Sequence, residues 1–444
     1  MSDTTKTHSE TPQVGIIGLS HLGIIWSVGY ASLGFDVIGY DSESRAVETL
    51  QKGTLPIPEP NLPELFKKAG SHLQFTSDPE LLKKCRVVFF ARDVPMDEEG
   101  QIDLTEINNL LDKTIPYLAS GVDFIFMGQV PVGYTRSLGS RIRKYRPELL
   151  FSLIYRVETL TIGQAVNDFL KPDRIIVGLE DSSQGLNSRV QAVLHDPFKV
   201  PLVIGSYESA ELTKSAINVY LANSVTFVNA IADLCEKVGA NIHEIVAAMK
   251  LDRRFSPYSY WRPGLGFAGG HLERDLMSLS RLAKENGLVP QLLNTIIQSS
   301  KGRYRWLVQA LEETIFTDHQ KPTLSLWGLA YKKGTDSLHN AHCLKVIRDY
   351  GERANILAYD PLAKLPSSIQ NVRVVSDKFE ALRQSDGLII LTEWDEFRIN
   401  EAEPFLQLMR EPVIIDGVNI LGPKVKQNSS INYIAMGIPR RSHL

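Results

Sequence analysis

The chain has 444 residues, 43% of them hydrophobic and 22% charged, which is too long for one ordinary core and fits two or three globular domains with disorder only at the ends. A formal net charge of −3 gives no basic footprint, so nucleic acid is not expected as a partner. No apolar run is long enough to span a bilayer, and residues 1–13 are polar without a signal-like apolar core, so a soluble cytoplasmic protein with a frayed N-terminal tail and no membrane partner is expected.

The first ordered run, 14–17, is short, apolar and β-like; Gly18 follows it, and apolar positions then recur at helical spacing over 22–33. A second run, 36–40, ends at Asp41, 23 positions after Gly18. That is a β-α-β unit with the acidic residue close to the spacing of dinucleotide folds. Between the strands lies Gly18-Leu19-Ser20-His21-Leu22-Gly23, a GxGxxG turn with serine in the second glycine position. Such a turn sets helix N-terminal amides against a pyrophosphate; Asp41 would accept from the adenosine ribose hydroxyls and disfavour a 2′-phosphate, which predicts NAD rather than NADP.

Strand-like runs at 86–91, 124–127 and 175–178 alternate with helical patterns, predicting a parallel sheet covered on both faces. From residue 208 the spacing turns helical through 234 and again over 242–249, and a Gly/Pro/aromatic loop follows at 258–270. Beyond Pro322 the β-α-β pattern returns, with strands at 323–327 and 355–359, the latter ending at Asp360, a Gly328 turn, a helix near 343–352, and strands at 387–391 and 412–415. The expected fold class is α/β, two Rossmann-like doubly wound lobes joined by a long central helix, with boundaries at 13–205, 206–318 and 319–444. Ligands in such folds bind at the carboxyl ends of the strands, which predicts a cleft between the lobes.

Only Cys85, Cys235 and Cys343 are present; this sparse usage suits a reducing compartment. His339, His342 and Cys343 form a compact HNAHC cluster able in principle to hold a soft metal. With no fourth ligand suggested nearby, it reads as polar residues opening a helix, and no metal is expected.

Longer strings carry a family resemblance. LPIPEPNL (55–62), EEGQIDL (98–104), QVPVGYT (129–135), AVNDFLKPDRIIVG (165–178), AELTKSAINVYLANSVTFVNA (210–230), RPGLGFAGGHLERD (262–275), GLAYKKGTDSL (328–338) and LTEWDEF (391–397) together resemble the UDP-glucose/GDP-mannose dehydrogenase family over nearly the whole chain. The resemblance implies a homodimer built on the central helix, NAD in the first lobe and a nucleotide sugar held largely by the second. Members oxidise a sugar's primary alcohol to a carboxylate with two NAD, through a cysteine that captures the aldehyde; the thiohemiacetal is oxidised to a thioester, which water hydrolyses to release the thiol.

Carried onto this sequence, the resemblance places Gly18, Ser20, His21, Leu22, Gly23, Asp41, Val94 and Gln129 at the cofactor, and Leu160, Tyr258, Tyr260, Arg262, Gly264, Phe267 and Lys332 at the nucleotide sugar, Lys332 matching a lysine that contacts the diphosphate. Lys214 and Asn218, spaced i, i+4 on one helix face, match groups that stabilise the oxygen at the reacting carbon. Glu158 matches a catalytic-segment glutamate, and Asp275 an aspartate that assists the nucleophile. His271 stands where the family's cysteine belongs, Ile162 where a second glutamate is expected, Gln129 where a threonine helps position water, and His339 where relatives carry an arginine. An imidazole is a good general base near neutral pH but forms no comparable acyl intermediate, so the second oxidation is expected to fail. The preferred expectation is therefore a single two-electron oxidation with His271 as base, oriented by Asp275. A redox-neutral epimerase that retains NAD, and a catalytically silent nucleotide-sugar-binding homologue, stay open beside it.

Overall fold

A computed structural model describes residues 13–94, 102–317 and 319–440. The expected N-terminal tail and residues 98–101 of the EEGQIDL string lie outside the described residues. The chain divides into two compact units, Met1–Ala216 and Ile217–Leu444.

In the first unit VGII forms β1 (Val14–Ile17), every residue of it buried. VIGY forms β2 (Val37–Tyr40), and VVFF, two strands later in the chain, is likewise buried throughout. Such continuous apolar runs belong to strands covered on both faces. With β3 (Leu73–Thr76), β4 (Val87–Phe90), β5 (Val122–Phe126), β6 (Phe151–Arg156), β7 (Ile175–Leu179) and β8 (Leu202–Ser206), they make an eight-stranded sheet in the order β3-β2-β1-β4-β5-β6-β7-β8. The first six strands follow the doubly wound order 3-2-1-4-5-6. One pair departs from the expected parallel arrangement: β7 runs antiparallel to β6, Tyr155 facing Gly178, before β8 resumes parallel to β7.

The helix after β1, His21–Ser32, buries every residue but His21. It is therefore not amphipathic but sandwiched on all sides. Trp26 and Tyr30 on it meet Phe89 of β4 and Phe169 at ring-centroid separations of 5.2–5.3 Å.

A 32-residue helix, Tyr207–Val238, follows β8. The second unit adds helices Ile242–Lys250, His271–Glu285, Gln291–Gly302 and Tyr304–Thr314 before a six-stranded parallel sheet. Its strands are β9 (Thr323–Trp327), β10 (Asn355–Tyr359), β11 (Val372–Val374), β12 (Gly387–Ile390), β13 (Val413–Asp416) and β14 (Asn432–Ala435), in the order β11-β10-β9-β12-β13-β14, again 3-2-1-4-5-6. Residues 258–270, too rich in glycine and proline for regular structure, contain neither helix nor strand.

The two sheets repeat one local device. In the first, the Gly18 amide donates to the Tyr40 carbonyl at 2.8 Å and the Leu19 amide to Asp41 Oδ2 at 2.7 Å. In the second, the Gly328 amide donates to the Tyr359 carbonyl at 2.9 Å and the Leu329 amide to Asp360 Oδ2 at 2.7 Å. A Gly-Leu turn closed by a Tyr-Asp strand end thus marks the switch point of each sheet, where such folds bind ligands. Among the described residues no helix is long and apolar enough to cross a membrane.

Candidate functional site

The first-unit turn is built on a close approach. A Cβ added at Gly23 would lie 1.6 Å from the Gly18 carbonyl oxygen, so only glycine lets the helix start this near the strand. That proximity brings the N-terminus of a buried helix up to the turn, the arrangement that binds phosphate. Asp41, only 4% exposed, sits at the end of β2. Its Oδ2 accepts from the Leu19 amide and, at 3.1 Å, from Arg92 Nη1; its Oδ1 accepts from the Glu43 amide at 3.1 Å. Arg92 reaches on to Glu106 at 3.2 Å.

Ser20 caps the helix without a side-chain cap bond. Instead its hydroxyl accepts from the Asp93 amide at 3.0 Å and approaches the Ala91 carbonyl at 3.5 Å. Asp93 Oδ2 in turn accepts from the Leu22 amide at 3.3 Å. The His21 ring is turned to Glu59 at 2.8 Å, and Glu59 also accepts from the amides of Gly163, at 2.7 Å, and Ala165. Burial pushes the Glu59 carboxyl up, but the bonds from His21 and these amides prevail and hold it below its ordinary range. His21 therefore offers this turn its backbone, while its side chain secures the LPIPEPNL loop. Val94 and Gln129, half-buried, follow β4 and β5.

Glu158, just beyond β6, accepts from the Leu160 amide. Burial raises its carboxyl above the ordinary value, opposed first by the Lys214 ammonium on the long helix and further assisted upward by Asp93. Leu160 packs against the first core and Ile162 is exposed. Three residues before Lys214, the buried Glu211 accepts from the amides of Gly133, at 2.6 Å, and Thr135, at 2.8 Å. It thereby satisfies the N-terminus of helix Tyr134–Tyr145 and fixes the long helix against the QVPVGYT turn.

In the second unit, Asn218 on the long helix donates to Asp275 Oδ2 at 2.5 Å, and Arg274 Nε to Asp275 Oδ1 at 3.2 Å. Arg274 Nη2 lies 3.1 Å from His271 Nδ1. A guanidinium only donates, so Nδ1 is the acceptor and a neutral His271 carries its proton on Nε2. Arg274 thus contacts both Asp275 and His271, the pair the resemblance implies. His271 is exposed and is the first residue of helix His271–Glu285.

The 258–270 loop leading to His271 is fixed by backbone contacts. Asn229 accepts from the Gly264 amide at 2.8 Å, Ser300 from the Phe267 amide at 2.7 Å, and the His339 carbonyl from the Gly269 amide at 3.1 Å. A Cβ at Gly269, whose φ is +74°, would meet the Tyr331 ring at 2.7 Å. The loop therefore seats on the GLAYKKGTDSL turn, which brings the His271 helix and the Lys332 turn together. Asn340 adds bonds to the Gly269 carbonyl and to Glu273. The Phe267 ring is buried with Ala222, Leu276 and Ile296. Tyr258 is almost wholly exposed, burial pushes the Tyr260 phenol up, and Arg262 pairs with Glu393 at 2.6 Å. Lys332 lies beside the Tyr331 ring and Lys333 beside Asp395. No helix opens directly behind this turn, the next beginning only at His342, so lysines rather than helix amides supply its positive charge.

The cysteines lie elsewhere. Cys85, Cys235 and Cys343 are all buried; burial raises all three thiols, Cys85 and Cys343 to about 12. The Cys343 thiol donates to the Leu329 carbonyl at 3.0 Å, and burial lowers His342 to about 4. Among the described residues no three His, Cys, Asp or Glu side chains converge as a metal site. Sequence reasoning assigned no role to Arg92, Asp93, Glu59, Glu211 or Arg274. Glu59, Glu211 and Arg274 lie within the quoted strings, whereas Arg92 and Asp93 carry no local signal.

Comparison with known proteins accounts for this arrangement. Three models of one family match in order: the UDP-glucose/GDP-mannose dehydrogenase family NAD binding domain over residues 12–199, its central domain over 208–301 and its UDP binding domain over 325–423. The chain is 29% identical over 436 residues to the UDP-glucose 6-dehydrogenase TuaD of Bacillus subtilis, covering 96% of this chain and 93% of that protein. It is 28% identical to the UDP-glucose 6-dehydrogenase of Rhizobium meliloti, covering 96% and 100%. Its fold matches a UDP-glucose dehydrogenase from Pyrobaculum islandicum with a TM-score of 0.84 at 27% identity, over 98% of this chain and 99% of the other. By sequence and by fold, the chain belongs to the UDP-glucose/GDP-mannose dehydrogenase family.

Proposed function

We propose that this NAD-dependent oxidoreductase acts on a UDP-linked sugar and stops after one two-electron oxidation, releasing a carbonyl product. The residues present fit NAD: the Gly18–Gly23 approach that a Cβ would fill, the helix N-terminus behind it and the Asp41 carboxylate are what a dinucleotide needs. Ser20, His21, Leu22 and Gly23 would meet the pyrophosphate through backbone amides, Gly18 would shape the turn with its own amide on the Tyr40 carbonyl, and Asp41 would lie at the ribose with Val94 and Gln129 nearby. Bound NAD supplies the hydride acceptor. For UDP, the match of residues 325–423 to a UDP binding domain supports Lys332 at the diphosphate, with Tyr258, Tyr260, Arg262, Gly264, the Phe267 backbone and Leu160 as further contacts.

Oxidation takes a hydride from the sugar carbon and a proton from its hydroxyl, leaving a carbonyl. Lys214 stabilises the oxyanion, and Asn218 is held by Asp275 to serve the same oxygen. Glu158 in its anionic form receives the proton. His271, the base that the resemblance implies, faces Arg274 through Nδ1, and Glu158 is proposed here for the proton transfer. A single observation carries the one-step reading: the first turn of helix His271–Glu285 presents an imidazole, and all three thiols are buried and held protonated. A thiolate is the competent nucleophile for aldehyde capture.

A second reading, a nucleotide-sugar-binding homologue without turnover, is favoured by the Asp93 carboxylate on the Leu22 amide. Incubation with a panel of UDP- and GDP-sugars and NAD separates the readings. One NADH per sugar with a carbonyl product is expected; two with a uronic acid would overturn the one-step claim. Firm binding without turnover selects the second reading, and an epimerised sugar without NADH release would mean that the hydride is returned.

The long helix also supports a homodimer. Tyr220, Phe227 and Leu234 are all exposed and recur every seven residues, forming one apolar stripe suited to a second copy.

A further inference from the structure

Two departures from the usual dinucleotide turn meet in space. Ser20 stands in the second glycine position, and its hydroxyl accepts from the Asp93 amide at 3.0 Å. This bond fixes the segment after β4 so that Asp93 Oδ2 faces the helix N-terminus and accepts from the Leu22 amide at 3.3 Å. That amide belongs to the group a pyrophosphate would use. A carboxylate and a phosphate draw on the same donors and the same dipole, so the two anions compete. A glycine at position 20 would offer no hydroxyl and would leave the Asp93 amide without this acceptor.

The charges facing Asp93 do not favour a second anion. Its charge acts on the Glu158 carboxyl and raises it. Arg92, the adjacent cation, is engaged by Asp41 and Glu106. Lys214 is turned to account by Glu158, whose carboxyl it lowers.

We propose that Asp93, held by Ser20, is an internal competitor for the pyrophosphate of NAD and sets the affinity of this turn for the dinucleotide. The proposal rests on the reading of the Gly18–Gly23 turn as the NAD site. Binding requires the carboxylate to leave the Leu22 amide and to tolerate the incoming phosphates, so the dinucleotide binds more weakly than the turn geometry alone would allow.

The test is calorimetric titration of the full chain and of Asp93→Asn and Asp93→Gly with NAD, ADP and adenosine, with hydrogen exchange followed on the turn. Asp93→Asn removes the charge while keeping an acceptor; Asp93→Gly removes both. NAD and ADP, which carry a pyrophosphate, are expected to bind about ten-fold tighter to Asp93→Asn, about 1.4 kcal/mol, and at least as tightly to Asp93→Gly. Adenosine should gain nothing. Unchanged or weaker NAD binding in both variants overturns the proposal, as does an equal gain for adenosine. NAD is expected to protect the amides of residues 18–23 from exchange. Protection there with no gain in affinity defeats the role of Asp93 alone, whereas binding without protection there defeats the reading of the turn itself.

Discussion

At the scale of single residues, buried charge decides what each group can do. Glu158 carries a carboxyl that burial raises above its ordinary value, and the sign has two consequences. The protonated form is the one the fold favours, so its contribution to stability is present below the unfolded carboxylate range and is lost as pH rises through the folded value. Glu158→Gln is therefore expected to be more stable than the parent at neutral pH in urea melts, with the difference vanishing at low pH. As the proton acceptor, Glu158 works only when ionised; turnover should rise with pH through a value above the ordinary one, and the variant should lose that limb. Asp275 matters through its partners. It is 1% exposed and binds both Asn218 and the buried Arg274, so Asp275→Ala breaks a buried ion pair and should cost about 3 kcal/mol in a urea titration. The sequence marked Glu158 and Asp275 as chemically important. It did not mark Arg274, because nothing in a string of letters says which neighbour of a histidine turns toward it.

At the scale of elements, the long helix is legible as a helix from its spacing, and its partners are what the fold adds. Glu211 satisfies the start of helix Tyr134–Tyr145 through two amides, a bond across 76 and 78 residues that no local pattern encodes. The exposed Tyr220, Phe227 and Leu234 stripe makes a separate prediction. Replacing both Phe227 and Leu234 by glutamate should convert the proposed dimer into monomers in light scattering, since two charges would be buried at an apolar contact; a dimer that persists would place the interface elsewhere, and a monomeric parent would end the proposal. The strands divide similarly. The buried runs of β1, β2 and β4 are readable because two-faced burial demands unbroken apolar residues. The reversal of β7 against β6 is not, because a strand's direction depends on the path of the connection rather than on its own residues.

At the scale of the molecule, the two compact units have separate cores and separate switch-point turns. A ligand that binds the native form of one unit stabilises that unit by mass action, about 2.7 kcal/mol at a hundred-fold excess over Kd. Scanning calorimetry is expected to resolve more than one transition, with NAD raising the one that belongs to the first unit and UDP the one that belongs to the second. A single transition raised equally by either ligand would mean that the units unfold together.

The sequence by itself determined the α/β class, both Gly-Leu turns with their Tyr-Asp strand ends, the long helix, and the histidine at position 271, because each depends on residue type and short spacing. Only the tertiary structure decided that Arg274 contacts both Asp275 and His271, that the loop before His271 seats on the Lys332 turn, and that Asp93 reaches the Leu22 amide. Those are meetings of residues far apart in sequence, or choices of side-chain direction. They are set by how close the backbone can approach, through Gly23 and Gly269 above all, and by where buried carboxylates find donors.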